Sequence, residues 1–109
     1  MKKILASALA LLTFAIFTAS AGENRRIQIV NRSSVAIRYF YASNVDVGTW
    51  QEDILGPGRM IWPDHYMNAI IDDGTGHCLY DMKAVLFDGR EAVWRNYNVC
   101  TKSTVTVTD

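Results

Sequence analysis

Residues 78–100 read CLYDMKAVLFDGREAVWRNYNVC: two strand-like runs, Leu79 to Phe87 and Ala92 to Cys100, hinged at Asp88-Gly89. Aromatic and β-branched residues fill both runs, and an Asp-Gly step between such runs is a strong hairpin signal. Folding about Asp88-Gly89-Arg90 sets Phe87 against Glu91, so opposed residue numbers sum to 178 and Cys78 faces Cys100. A strict two-residue turn gives a sum of 177 and requires one bulge to align them. Directly opposed Cβ atoms lie ~4.5–5.5 Å apart, within reach of a disulfide. Cys78 and Cys100 are the only thiols. Their spacing is not that of a CxxC redox pair, and no His/Cys cluster accompanies them as in a zinc site. A structural disulfide is expected, contributing ~3 kcal/mol by loop length. Across the same hairpin, Asp81 and Lys83 share a strand face and are expected to pair with Arg95 and Glu91.

The rest of the chain carries the same period of two. Arg26 to Val30 alternates, Asn31-Arg32-Ser33-Ser34 reads as a turn, and Val35 to Ala42 alternates again with Val35, Ile37, Tyr39 and Tyr41 on one face. Those runs read as a second hairpin. Asn44 to Gly58 reads as loop, pinned by Trp50, Ile54 and Leu55. Met60-Ile61-Trp62 reads as an edge strand and His65 to Ile71 as a further strand. Asp72 to Gly76 forms a tight turn, and Ser103 to Thr108 places Val105 and Val107 inward. No segment has a 3.6-residue period. The expected fold is all-β: a small antiparallel β-sandwich of about seven strands with one disulfide.

The N-terminus has another character. Met1-Lys2-Lys3, the uncharged apolar run Ile4 to Phe17 and Ala19-Ser20-Ala21 have the order of a secretory signal peptide, 1–21, with cleavage after Ala21. The run is short of the ~20 apolar residues that span a bilayer. No cysteine marks a lipoprotein site. A single domain, 22–109, is expected in the periplasm or outside the cell, with no membrane insertion after cleavage. Cleavage removes two lysines and leaves nine basic against eleven acidic residues among 88, a net charge of −2. The basic residues are scattered, which argues against nucleic acid as a partner. A chain this short has no room for a two-half dinucleotide fold or a (β/α)₈ barrel, and no cofactor is expected.

Phe40-Tyr41-Ala42-Ser43, then Trp50, Asp53 and Leu55-Gly56, then Asp72-Asp73-Gly74-x-Gly76-x-Cys78-x-Tyr80-Asp81-x-Lys83-Ala84, Asp88-Gly89 and Val99-Cys100 form a series spread over nearly the whole exported part. In these residues the chain resembles a group of small secreted bacterial proteins of no established function. Similar proteins sometimes carry the label argininosuccinate lyase. That enzyme is several times longer, mostly helical and cytoplasmic, so 88 strand-rich residues do not build it. The resemblance implies a compartment and a fold, not a mechanism.

Candidate chemistry falls into three groups. Eight large rings (Trp50, Trp62, Trp94, Tyr39, Tyr41, Tyr66, Tyr80 and Tyr97) exceed what so small a core absorbs. Trp50, Trp62 and Trp94 are therefore the candidate ligand-binding residues, with Trp62 and Trp94 expected to be partly exposed, for a protein, peptide or glycan partner. His65 or His77 with an aspartate is the set for a small hydrolase or metal-dependent enzyme, although no nucleophile–base–orienter motif is visible. Asp72 and Asp73 are the candidate calcium ligands, without EF-hand spacing. A non-enzymatic binding or envelope-associated module is the leading expectation.

Overall fold

The computed structural model describes residues 25–109; the expected signal peptide lies outside them. Six strands form two three-stranded sheets: β1 (Arg26–Arg32), β2 (Ile37–Asn44), β3 (Tyr66–Ile70), β4 (Leu79–Leu86), β5 (Glu91–Asn98) and β6 (Thr104–Thr108). One sheet has the order β3-β1-β6 and the other β2-β4-β5. Alternation builds the layer between them. Ile27 and Ile29 from β1 and Val105 and Val107 from β6 meet Ile37, Phe40, Tyr80, Met82, Ala84 and Leu86 from the second sheet in one buried cluster. Val105 and Val107 point inward as their pattern predicts.

The all-β sandwich with a Cys78–Cys100 bridge is the expected fold, with six strands rather than seven. Met60-Ile61-Trp62 forms no strand. Ile61 makes a single antiparallel bridge to Ile37 on the free edge of β2. One pairing also departs from a purely antiparallel fold: β1 runs antiparallel to β3 but parallel to β6.

The predicted hairpin of the first two runs does not exist, because β1 and β2 belong to different sheets. The buried side chain of Asn31 accounts for this. Its amide donates to the carbonyls of Val35 and Ile61, both at 2.9 Å, and its carbonyl accepts from the Ser33 amide and hydroxyl. These bonds satisfy the backbone of an arch that carries the chain from one sheet to the other, in place of hairpin bonds. The inward face of β2 also differs from the pattern. A register shift lies between Ile37 and Tyr39, leaving Arg38 as an extra residue. Ile37 and Phe40 therefore point inward while Tyr39 and Tyr41 turn outward, since one inserted residue reverses every later side chain.

The hairpin of β4 and β5 is tighter than either predicted register. Val85 pairs with Glu91 and Ala84 with Ala92, so opposed numbers sum to 176 near the turn. Phe87-Asp88-Gly89 is the loop, and Gly89 adopts φ 93°, where a side chain is strained. A bulge between Tyr80 and Met82 raises the sum to 177. Asn96, at φ 51°, occupies that bulge, and its amide donates to Asp81. Cys78 therefore lies opposite Val99, whose amide it accepts, and the disulfide reaches one residue further, to Cys100 in the turn after β5. The Cα atoms are 5.3 Å apart. The expected ion pairs form: Arg95 meets Asp81 at 3.2 Å, and Lys83 meets Glu91 at 3.9 Å. A closed disulfide fits an oxidising, extracytoplasmic environment. Among the described residues no helix is long and apolar enough to cross a membrane.

Candidate functional site

The outward face of the β2-β4-β5 sheet gathers a row of half-buried rings and cations. The bulge at Arg38 turns Tyr39 and Tyr41 to this face, with ring centroids 6.0 Å apart. Trp50, from the loop after β2, packs against Tyr41 at 6.5 Å. Lys83 and Arg95, outward on β4 and β5, place their cations 5.0 and 5.4 Å from the Trp50 ring, and Lys83 also lies 5.5 Å from Tyr41. Cations over ring faces are held by the ring quadrupole, so the row is a pre-set surface of planes and ion-paired cations. Burial and the negative charge of Asp53, with Tyr39 contributing less, push the Tyr41 phenol upward, so it stays neutral. A recess of about 130 Å³ adjoins the row, lined by Trp50, Arg95, Asp81, Ser43 and the Val47–Thr49 segment.

Of the three tryptophans singled out from sequence, Trp50 belongs to this surface. Trp62 is 57 % exposed and sits elsewhere, beside the Ile61 bridge. Trp94 faces inward and packs on Phe40 at 6.1 Å, so its role is in the core. Its position on β5 before the bulge puts it on the same face as Ala92. The structure does not bring the three together. Lys83 and Arg95 read in the sequence only as ion-pair partners. Their register opposite one another's neighbours was the available signal for a shared patch.

The second cluster centres on Asp73. Its carboxylate accepts from the Tyr80 hydroxyl at 2.8 Å, the Asn44 amide at 2.9 Å, and the hydroxyl and backbone amide of Thr75. Desolvation pushes this carboxyl up, but the bonds from Thr75, Asn44 and Tyr80 outweigh it and hold the group far below the usual carboxylate range. Burial, and then the bond to Asp73, push the Tyr80 phenol up. Beyond Thr75 the chain of contacts continues: Thr75 Oγ1 lies 2.6 Å from His77 Nδ1, and His77 Nε2 lies 2.7 Å from Asp46. His65 is not part of it, and its ring contacts the Pro63 carbonyl instead.

Carboxylate, imidazole and hydroxyl in series have the order of a hydrolytic triad, but the protons run the other way. The Thr75 hydroxyl donates its hydrogen bond to the Asp73 carboxylate, not to His77 Nδ1. A general base needs that hydroxyl to donate to the imidazole instead. Nor do Asp72 and Asp73 converge. Asp72 caps the Gly74 amide at 3.0 Å, and both Asp73 oxygens accept from its own surroundings. Among the described residues no group of three or more His, Cys, Asp and Glu side chains is placed to hold a metal ion. Adjacent to Cys78, the cluster fastens the Asp72–His77 loop to β4 and to the turn after β2.

No family model matches the chain, and neither a curated protein nor a solved structure matches it.

Proposed function

We propose that the chain is an exported, non-enzymatic binding module whose outward β2-β4-β5 face contacts a protein, peptide or glycan in the periplasm or outside the cell. The observation that carries this reading is Trp50, a large ring held on the surface by Tyr41, Lys83 and Arg95. Rigid aromatic planes flanked by cations lose little entropy on contact and dominate interface energies where they occur. The disulfide and the signal-like N-terminus support export. A hydrolase using His77 with Asp46 is the alternative that a specific contact favours, and the proton order in the Asp73 cluster counts against it.

The test is capture from envelope extract with three baits: the natural chain, Trp50→Ala and His77→Ala. One stoichiometric partner, retained by His77→Ala and lost by Trp50→Ala, is the expected result. Capture indifferent to Trp50, or a blank, ends the binding reading for this face.

A further inference from the structure

At one end of that same face the chain forms a cleft of about 390 Å³ that no sequence feature announced. Tyr39, Phe87, the Gly56-Pro57-Gly58 segment and Met60 line it together with Arg38 and Arg59. Ligand sites typically fall at ~300–1,000 Å³ and combine mostly apolar walls with a few converging polar groups. The two arginines are the decisive feature. Arg90 and Arg95 pair with carboxylates, and Arg25 is bonded to the carbonyls of Gly76 and His77. Arg38 and Arg59 have no carboxylate partner among the described residues. Asp88, next to Phe87 in the chain, is occupied by Arg90 at 2.8 Å. Asp53 spends one oxygen on the amides of Phe40 and Leu55.

Arg38 is held in place by rings, and Arg59 is carried on an ordered turn. The Arg38 guanidinium sits 5.0 Å from the Tyr39 ring and 5.1 Å from the Phe87 ring. Stacking on rings fixes the plane of a guanidinium and leaves its N–H fork unspent. The bulge in β2 that makes Arg38 an extra residue is what aims it there. Arg59 closes a tight turn in which its amide donates to Gly56. Pro57 holds the second position and Gly58, at φ 74°, the third, the residues a type II turn requires. Phe87 is fixed from behind by its amide bond to the Ala36 carbonyl at 3.0 Å.

We infer that this cleft binds a carboxylate carried on an apolar, preferably aromatic, body. The carboxylate spans the Arg38 and Arg59 guanidinium groups, and the body lies against Tyr39, Phe87 and Met60. Arginine forks match a carboxylate in two parallel bonds, and such charged bonds are about twice as strong as neutral ones. The inference rests on the reading of the outward β2-β4-β5 face as a binding surface and names the chemistry of its ligand. A free organic acid and the C-terminal carboxylate of a peptide ending in an aromatic residue share that chemistry.

The experiment is an amide-proton NMR titration of the oxidised protein, recovered after expression of the full sequence. The probes are 4-phenylbutyrate, 4-phenylbutyramide, acetyl-Gly-Phe and acetyl-Gly-Phe-amide. The expected result is saturable shifts confined to Arg38, Tyr39, Gly56, Gly58 to Met60 and Phe87, with each neutral amide at least about tenfold weaker than its acid. Stronger binding of phenylbutyrate assigns a free acid, and stronger binding of acetyl-Gly-Phe a peptide terminus. Arg59→Gln, on an exposed turn, should weaken the acids by about tenfold while leaving the spectrum otherwise unchanged, and Arg38→Met should do the same. Acids and amides that shift the cleft equally overturn the inference, as does the absence of any shift. Shifts centred on Trp50, Lys83 and Arg95 also overturn it, but leave the face itself as the binding surface. Capture that fails while the acids bind would remove the macromolecular partner and leave the cleft.

Discussion

Three residues carry more of the fold than their types suggest. Asn31 is fully buried and makes four hydrogen bonds in the arch between the sheets. Asn31→Leu keeps the branched heavy-atom shape but strands the buried Ser33 amide. It should cost roughly 2–3 kcal/mol, read as a lower urea midpoint at unchanged slope. Asp73 is held ionised well below the usual carboxylate range. Its folded-state pKa is lowered, so its contribution is complete above the unfolded value of about 4 and fades as pH falls further. Urea unfolding of Asp73→Asn should therefore show a deficit at pH 7 that narrows between pH 4 and pH 2. A deficit constant across that range would place the effect in packing instead. Asn96 contributes through backbone alone. At φ 51° a β-branched residue is strained, so Asn96→Val should destabilise by about 1–2 kcal/mol and Asn96→Gly should be nearly neutral.

At the level of strands, what the sequence disclosed follows the range over which the signal acts. The β4-β5 hairpin was legible because its turn, its alternation and its two cysteines lie within 22 residues of one another. Tyr80, Met82, Ala84 and Leu86 keep the period of two without interruption, and so do Val105 and Val107. The face of β2 was not legible, because no residue type marks Arg38 as inserted; the bulge arises from how β2 meets β4 and the Ile61 bridge. For the same reason Tyr39 read as sharing the face of Ile37 and Arg38 as one more dispersed charge, and the cleft they form with Arg59 and Phe87 stayed hidden. The partner of β6 was equally out of reach, since a parallel pairing across most of the chain leaves no local trace. The disulfide anchors the open end of the β4-β5 hairpin. Replacing both cysteines by serine should cost about 3 kcal/mol and leave the native spectrum recognisable, since the core cluster contains neither sulfur. Loss of all tertiary structure in that double variant would show that the bridge creates the fold rather than reinforcing it.

For the molecule as a whole, the two sheets share one plan: a central strand buried between two edges, β1 in one and β4 in the other. Both strands are hydrogen-bonded on two sides and feed the common core. Hydrogen exchange should be slowest at Ile27 to Asn31 and Tyr80 to Leu86, and faster in β3 and β5, which lie at sheet edges. Equal protection in β3 would mean that this edge is covered in solution. The parallel contact of β1 with β6 has a further consequence, and it concerns time. A ribosome delivers β1 first and β6 last, with 71 residues separating the end of one from the start of the other. Until Thr104–Thr108 emerges, the centre of one sheet lacks a neighbour and Ile29 lacks Val105 beside it. Closure of this sheet thus waits on the search of the last-made of the described strands for the first, across a long sequence separation.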